Sequence, residues 1–136
     1  MTAIDLAKVA SIQRSVRRAR DELAAAGSQL SSDLTRQDAS ILNVLRACET
    51  AIDLAQILVR ERRLGVPQSN RDVFQLLADA GLVSEDLSKR LQQMVGFRNV
   101  AVHRYRDLDL EILVHVVRQD LDDLLRFSEL VARLDR

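Results

Sequence analysis

The sequence predicts an all-α protein, an up-down helical bundle of four main helices plus one short helix. Two observations carry that expectation. Apolar residues recur at alternating three- and four-residue steps through most of the chain, the spacing of one buried face on a helix. The 136 residues also include only 4 Gly and 1 Pro, too few for the many turns that a fold of short strands needs. With 47% of residues hydrophobic and 29% charged, the chain can bury a core and keep a solvated surface. Residues 1–136 read as a single helical domain.

The first helix is expected to start near Thr2 as N-cap and to run to about Ala26 or slightly beyond. Val9, Ile12, Val16, Ala19, Leu23, Ala26 and Leu30 form its stripe, with a connection over Ser28 to Asp33. The second helix is expected from Thr35 or Asp38 to Leu64. It carries two adjacent stripes: Ile41, Leu45, Cys48, Ile52, Ala55 and Val59, then Val44, Ala51, Leu54 and Leu58. So wide an apolar face suits a central helix. Arg60, Arg62 and Arg63 complement its C-terminal dipole, Gly65 suits the cap and Pro67 prevents continuation.

A short third helix fits Arg71 to Ala80, capped by Ser69 or Asn70 and closed by Gly81. The fourth begins near Ser84 and passes through Leu87, Leu91, Met94 and Val95. The last starts at Asp109 as N-cap and runs to about Leu134. Its stripe is Leu110, Val114, Val117, Leu121, Leu124 and Val131, interrupted by Ser128.

Formal net charge is zero, so any contact with nucleic acid depends on a local cluster rather than on bulk attraction. A single cysteine, Cys48, excludes an intramolecular disulfide and fits a reducing compartment. There is no signal-peptide pattern and no apolar run long enough to span a bilayer, and the expected location is the cytoplasm.

Reactive side chains concentrate in one segment, Phe97-Arg98-Asn99-Val100-Ala101-Val102-His103-Arg104-Tyr105-Arg106. At ~100° per residue, Arg98 and His103 point about 140° apart on one straight helix, whereas Asn99 and His103 share a face. A joint Arg–His site therefore needs a helix end near His103, or two chains contributing one motif each across a two-fold interface. Gly96 permits another backbone to approach closely. These residue types suit metal-free RNA cleavage. An imidazole takes the proton of a ribose 2′-OH or protonates the leaving 5′-oxygen. A guanidinium stabilises the developing charge on phosphate. Asn99 is suited to orienting either group, and Tyr105 to bonding the phosphate or a base edge. No metal or other cofactor is indicated, since the sequence has no HExxH, no paired cysteines and no acids clustered beside the histidine.

The segment Arg98-Asn99-x-x-x-His103-x-Tyr105 resembles the signature of HepT-type toxins in the HEPN family. The likeness extends over Val73 to Tyr105, over the last helix from Asp107 to Val131, over Ala51-Ile52-Asp53-Leu54-Ala55, and more loosely over the first helix. It implies a homodimeric helical toxin that cuts RNA, with tRNA a reported target class, made beside a minimal nucleotidyltransferase antitoxin. It further implies Arg98 and His103 as catalytic residues supported by Asn99 and Tyr105. Tyr105 is the expected acceptor of AMP, which silences the toxin by placing a phosphate two residues from His103. Where many relatives carry an acidic residue between His103 and Tyr105, this chain has Arg104. The competing expectation is a non-catalytic helical subunit that binds the nucleotidyltransferase.

Other reactive residues have plainer readings. His115 is expected to pair with Glu111 four residues earlier, and Cys48 to pack as a small core residue. Arg14, Arg17, Arg18 and Arg20 form either a solvated helix face or an RNA-backbone patch. Asp53 either faces the motif and orients Arg98 or His103, or pairs with a neighbouring arginine.

Overall fold

α1 spans Ala3–Ala26 and continues as one 3-10 turn, Gly27–Gln29, in a computed structural model that describes residues 3–134. The expected cap at Thr2 lies outside the described residues. Every residue of the expected stripe, Val9 through Leu30, is buried.

α2, Leu34–Glu61, runs antiparallel to α1, as the cross-links Arg36–Glu22 (2.6 Å), Ser40 Oγ to the Ala19 carbonyl (3.1 Å) and Lys8–Asp53 (3.7 Å) show. It starts earlier than expected because Asp33 caps it, accepting from the Arg36 N–H at 3.0 Å, a bond that contributes ~1 kcal/mol. It also ends earlier. The Leu64 N–H reaches the Val59 carbonyl (3.0 Å) and the Arg63 N–H the Arg60 carbonyl (3.3 Å). Those two bonds require a left-handed residue at Arg63, whose φ is 54°. The cap expected of Gly65 is thus formed two residues earlier, by a residue with a Cβ. Both apolar stripes of α2 face the core, with Leu45 half-buried at the edge.

α3, Asn70–Asp79, is capped by Ser69, which accepts from the Asp72 N–H at 3.1 Å. It closes at Gly81, φ 76°. α4, Glu85–His103, is capped by Ser84. It packs against α3, with Ser88 Oγ donating to the Phe74 carbonyl (2.9 Å) and Gln92 reaching Gln75 (3.3 Å).

The final helix is one rod only in outline. α5, Leu110–His115, leads into a π turn, Val116–Asp120, and then α6, Leu121–Arg133. Val116 and Leu121 are both buried, although five residues of ordinary helix would turn them ~140° apart. The wider turn brings both onto the core. It also moves the buried face of the first half to Leu113, Val116 and Val117, leaving Leu110 and Val114 half-buried. Ser128 does not interrupt the stripe. It is buried within it, its Oγ donating to the Leu125 carbonyl at 2.8 Å.

α6 packs on α1, α2 and α4, and Phe127 meets Phe74 of α3 edge-on at 5.6 Å and 81°, a favoured aromatic geometry. The four main helices and the short α3 are as expected. Among the described residues no helix is long and apolar enough to cross a membrane.

Candidate active site at the end of α4

The buried side of α4 carries Leu87, Leu91, Met94, Val95 and Ala101. Arg98 falls on that same stripe, four after Met94 and three before Ala101. It is a cation in a core-facing position, with only 22% of its side chain exposed. A charge so placed needs a partner, and Glu49 of α2 supplies it by accepting from Arg98 Nε. Nη1 donates to Asn99 Oδ1 at 2.9 Å. Asn99 projects about 100° round the helix from Arg98 and about 40° from His103, so its amide draws the guanidinium towards the histidine side.

α4 ends at His103, which is itself its last helical residue, so Arg98 and His103 of one chain stay about 140° apart round the helix. Arg104 leaves helical geometry at φ −133°, ψ 44°, while its N–H still bonds the Val100 carbonyl at 2.7 Å. A 3-10 turn over Tyr105–Asp107 follows, and then Asp109 caps α5. His103, Arg104 and Tyr105 are all exposed. His103 makes no hydrogen bond or ion pair with another described residue. Val100 and Val102, 45% and 47% exposed, put apolar surface around these groups.

Glu49 is the site residue that sequence reasoning missed. Asp53 held its place among the candidates, but Asp53 pairs with Lys8 one turn further along α2. The signal lay in Arg98 itself, because a cation on an apolar stripe calls for an acid on the facing helix. Beside Glu49, the Cys48 thiol is fully enclosed. Burial pushes it up to about 12, with Glu49 acting in the same direction and Arg98 against. It packs as the core residue expected.

The remaining candidates lie elsewhere. His115 Nε2 sits 3.4 Å from Asp120, not beside Glu111, since the π turn brings residues five apart to one side. Arg20 is a structural tie, donating to the Val117 carbonyl (3.0 Å) and to Asp122 (2.8 Å). Arg14, Arg17 and Arg18 are exposed. No group of three or more His, Cys, Asp or Glu among the described residues is placed to hold a metal ion.

The family model of HepT-like ribonucleases matches residues 12–131. The chain belongs to this HepT-like family. It is 44% identical over 131 residues to a Shewanella oneidensis protein named mRNA nuclease HepT, covering 96% of this chain and 98% of that one. Its fold matches the tri-AMPylated Shewanella oneidensis HEPN toxin solved in complex with an MNT antitoxin. That comparison gives a TM-score of 0.91 at 43% identity, over 97% of this chain and 98% of the toxin. The cytosolic protein YutE of Bacillus subtilis, 19% identical over 90% of this chain and 87% of its own, shares the fold at a TM-score of 0.69.

Proposed function

We propose that this HepT-like chain is the toxin of a toxin–antitoxin pair and a metal-independent endoribonuclease. One observation carries the reading. Arg98 is held by Glu49 and Asn99 near the end of α4, where His103 faces solvent without a hydrogen bond or ion pair to another described residue. The 2′-oxygen attacks phosphorus as its proton leaves, and the P–O5′ bond breaks as the 5′-oxygen gains one. His103 handles one of these protons, and Arg98 holds the phosphate as charge grows on its oxygens. Both motifs of a homodimer meeting at the exposed valines would supply the two proton-transfer groups. The name of the Shewanella relative points to mRNA as substrate.

Tyr105, 43% exposed on its 3-10 turn, is the acceptor for a nucleotidyltransferase partner. Its phenolic oxygen attacks the α-phosphorus of ATP, gains AMP and releases pyrophosphate. The adduct would fill the space before His103 and repel RNA phosphate. Incubation with the partner, ATP and Mg²⁺ should raise the intact mass by AMP units, and Tyr105→Phe should abolish that rise.

The deciding experiment is induced expression without the partner gene. Wild type should arrest growth and degrade RNA, and His103→Ala should do neither. If both proteins are soluble, unmodified and harmless, the chain is a binding subunit of the nucleotidyltransferase instead.

A further inference from the structure

Arg71 stands apart from the other arginines of the fold. It is the second residue of α3, where a cation opposes the positive end of the helix dipole. It makes no hydrogen bond or ion pair with another described residue, and it is exposed. Its guanidinium nevertheless rests against α4. Nη2 lies over Gly96 of α4, so close that a Cβ on that residue would come within 2.5 Å of it. Gly96 is a helical glycine with no unusual backbone angle, and what its missing side chain provides is room for the Arg71 head group.

The position of that contact gives it meaning. His103 follows Gly96 by seven residues, which returns it to within about 20° of the same side of α4 and ~10.5 Å along the axis. Asn99 lies between them on that side. Arg71 therefore extends the His103 face of α4 with a positive charge that has no ion-pair partner among the described residues, two helical turns from the imidazole. Arg98, by contrast, is already matched by Glu49.

We infer that Arg71 binds a backbone phosphate of the RNA that flanks the cleaved one, and so fixes the direction in which the strand crosses α4. The inference rests on the ribonuclease reading. It adds a binding residue from α3, outside the Arg98–Tyr105 segment, and gives Gly96 a reason. The bidentate guanidinium suits phosphate, and the contact is blind to base identity.

The test measures binding of a fluorescent single-stranded oligoribonucleotide by anisotropy across a KCl series. His103→Ala protein is used so that the probe stays intact. Adding Arg71→Ala should weaken binding several-fold and lower the slope of log affinity against log salt by ~0.7, the value for one lost phosphate contact on a single strand. Arg71→Lys should keep the slope. Gly96→Ala, which retains the charge but displaces it from that contact, should weaken binding, with no further loss when Arg71→Ala is added. An unchanged slope in folded Arg71→Ala protein, while wild type still cleaves RNA, overturns the Arg71 inference alone. If wild type does not cleave and the His103→Ala protein does not bind, the ribonuclease reading fails and takes this inference with it.

Discussion

Arg98 of α4 is anchored to Glu49 of α2 across the helix–helix interface, so the cation assigned to phosphate is positioned by an acid that also neutralises it. Hydrogen bonds to charged groups contribute ~1.5–3 kcal/mol. With Glu49 45% exposed, solvent screening places this one at or below the low end. Glu49→Ala is expected to lower kcat on RNA roughly tenfold, about 1.4 kcal/mol. Glu49→Gln retains an acceptor at the same place and should keep most of kcat while lowering KM. Equal losses of kcat in the two variants would rule out a positioning role.

Asn99 should behave as the second anchor. Asn99→Ala leaves Arg98 bound to Glu49 but releases Nη1 from its 2.9 Å bond to Oδ1, freeing the guanidinium to turn from the His103 side. Cleavage should fall by about tenfold, again near 1.4 kcal/mol, with little change in melting temperature because Asn99 lies at the half-exposed margin of the helix. A drop in stability with cleavage intact would mark Asn99 as structural.

The helices were legible in the sequence wherever burial follows a single period. The α1 stripe, the double stripe of α2 and the caps at Ser69, Ser84 and Asp109 all stand where pattern and cap chemistry place them. What escaped was set by tertiary context. The π turn at Val116–Asp120 breaks the 3.6 period without a Gly or Pro to announce it. The left-handed Arg63 takes a place that composition assigns to glycine. At the site, the motif and the stop at His103 were readable within one segment. Glu49 and Asp53 share a face of α2, and only the packing of α4 decides which of them meets Arg98.

Arg20 separates a structural arginine from an RNA-binding one. Its Nε bonds the Val117 carbonyl inside the π turn and its Nη2 bonds Asp122, tying α1 to the end of the bundle. Arg20→Ala should cost about 1–2 kcal/mol in urea denaturation, one net hydrogen bond plus a screened ion pair. It should leave the salt dependence of RNA binding untouched. A reduced salt slope would instead restore Arg20 to the RNA surface.

Cys48 should be chemically silent in the native protein. Its thiol is buried within the first stripe of α2 and pushed up to about 12, so almost no thiolate exists near neutral pH to attack an alkylating reagent. Labelling by iodoacetamide should track global unfolding, becoming rapid only across the urea transition. Fast labelling in native buffer would show that the α2–α4 packing opens locally beside Arg98.

Asp123 gives the fold a pH dependence of readable sign. Its side chain is 9% exposed beside Arg126 (3.6 Å) and Arg90 (4.0 Å). Burial raises its carboxyl, those two cations oppose the rise, and Asp120 and Asp122 add to it. At a pH between the two values the native state therefore holds a proton that the unfolded chain has released. Between the ordinary aspartate value, about 3.9, and the raised native one, Asp123 makes stability fall as pH increases; outside that window its contribution is constant. Asp123→Asn removes a group that titrates but keeps its shape. Urea denaturation over a pH series should show the variant gaining on wild type as pH climbs through the window, then running parallel above it. A variant that instead loses ground with rising pH would mean that Arg90 and Arg126 outweigh burial and hold Asp123 charged.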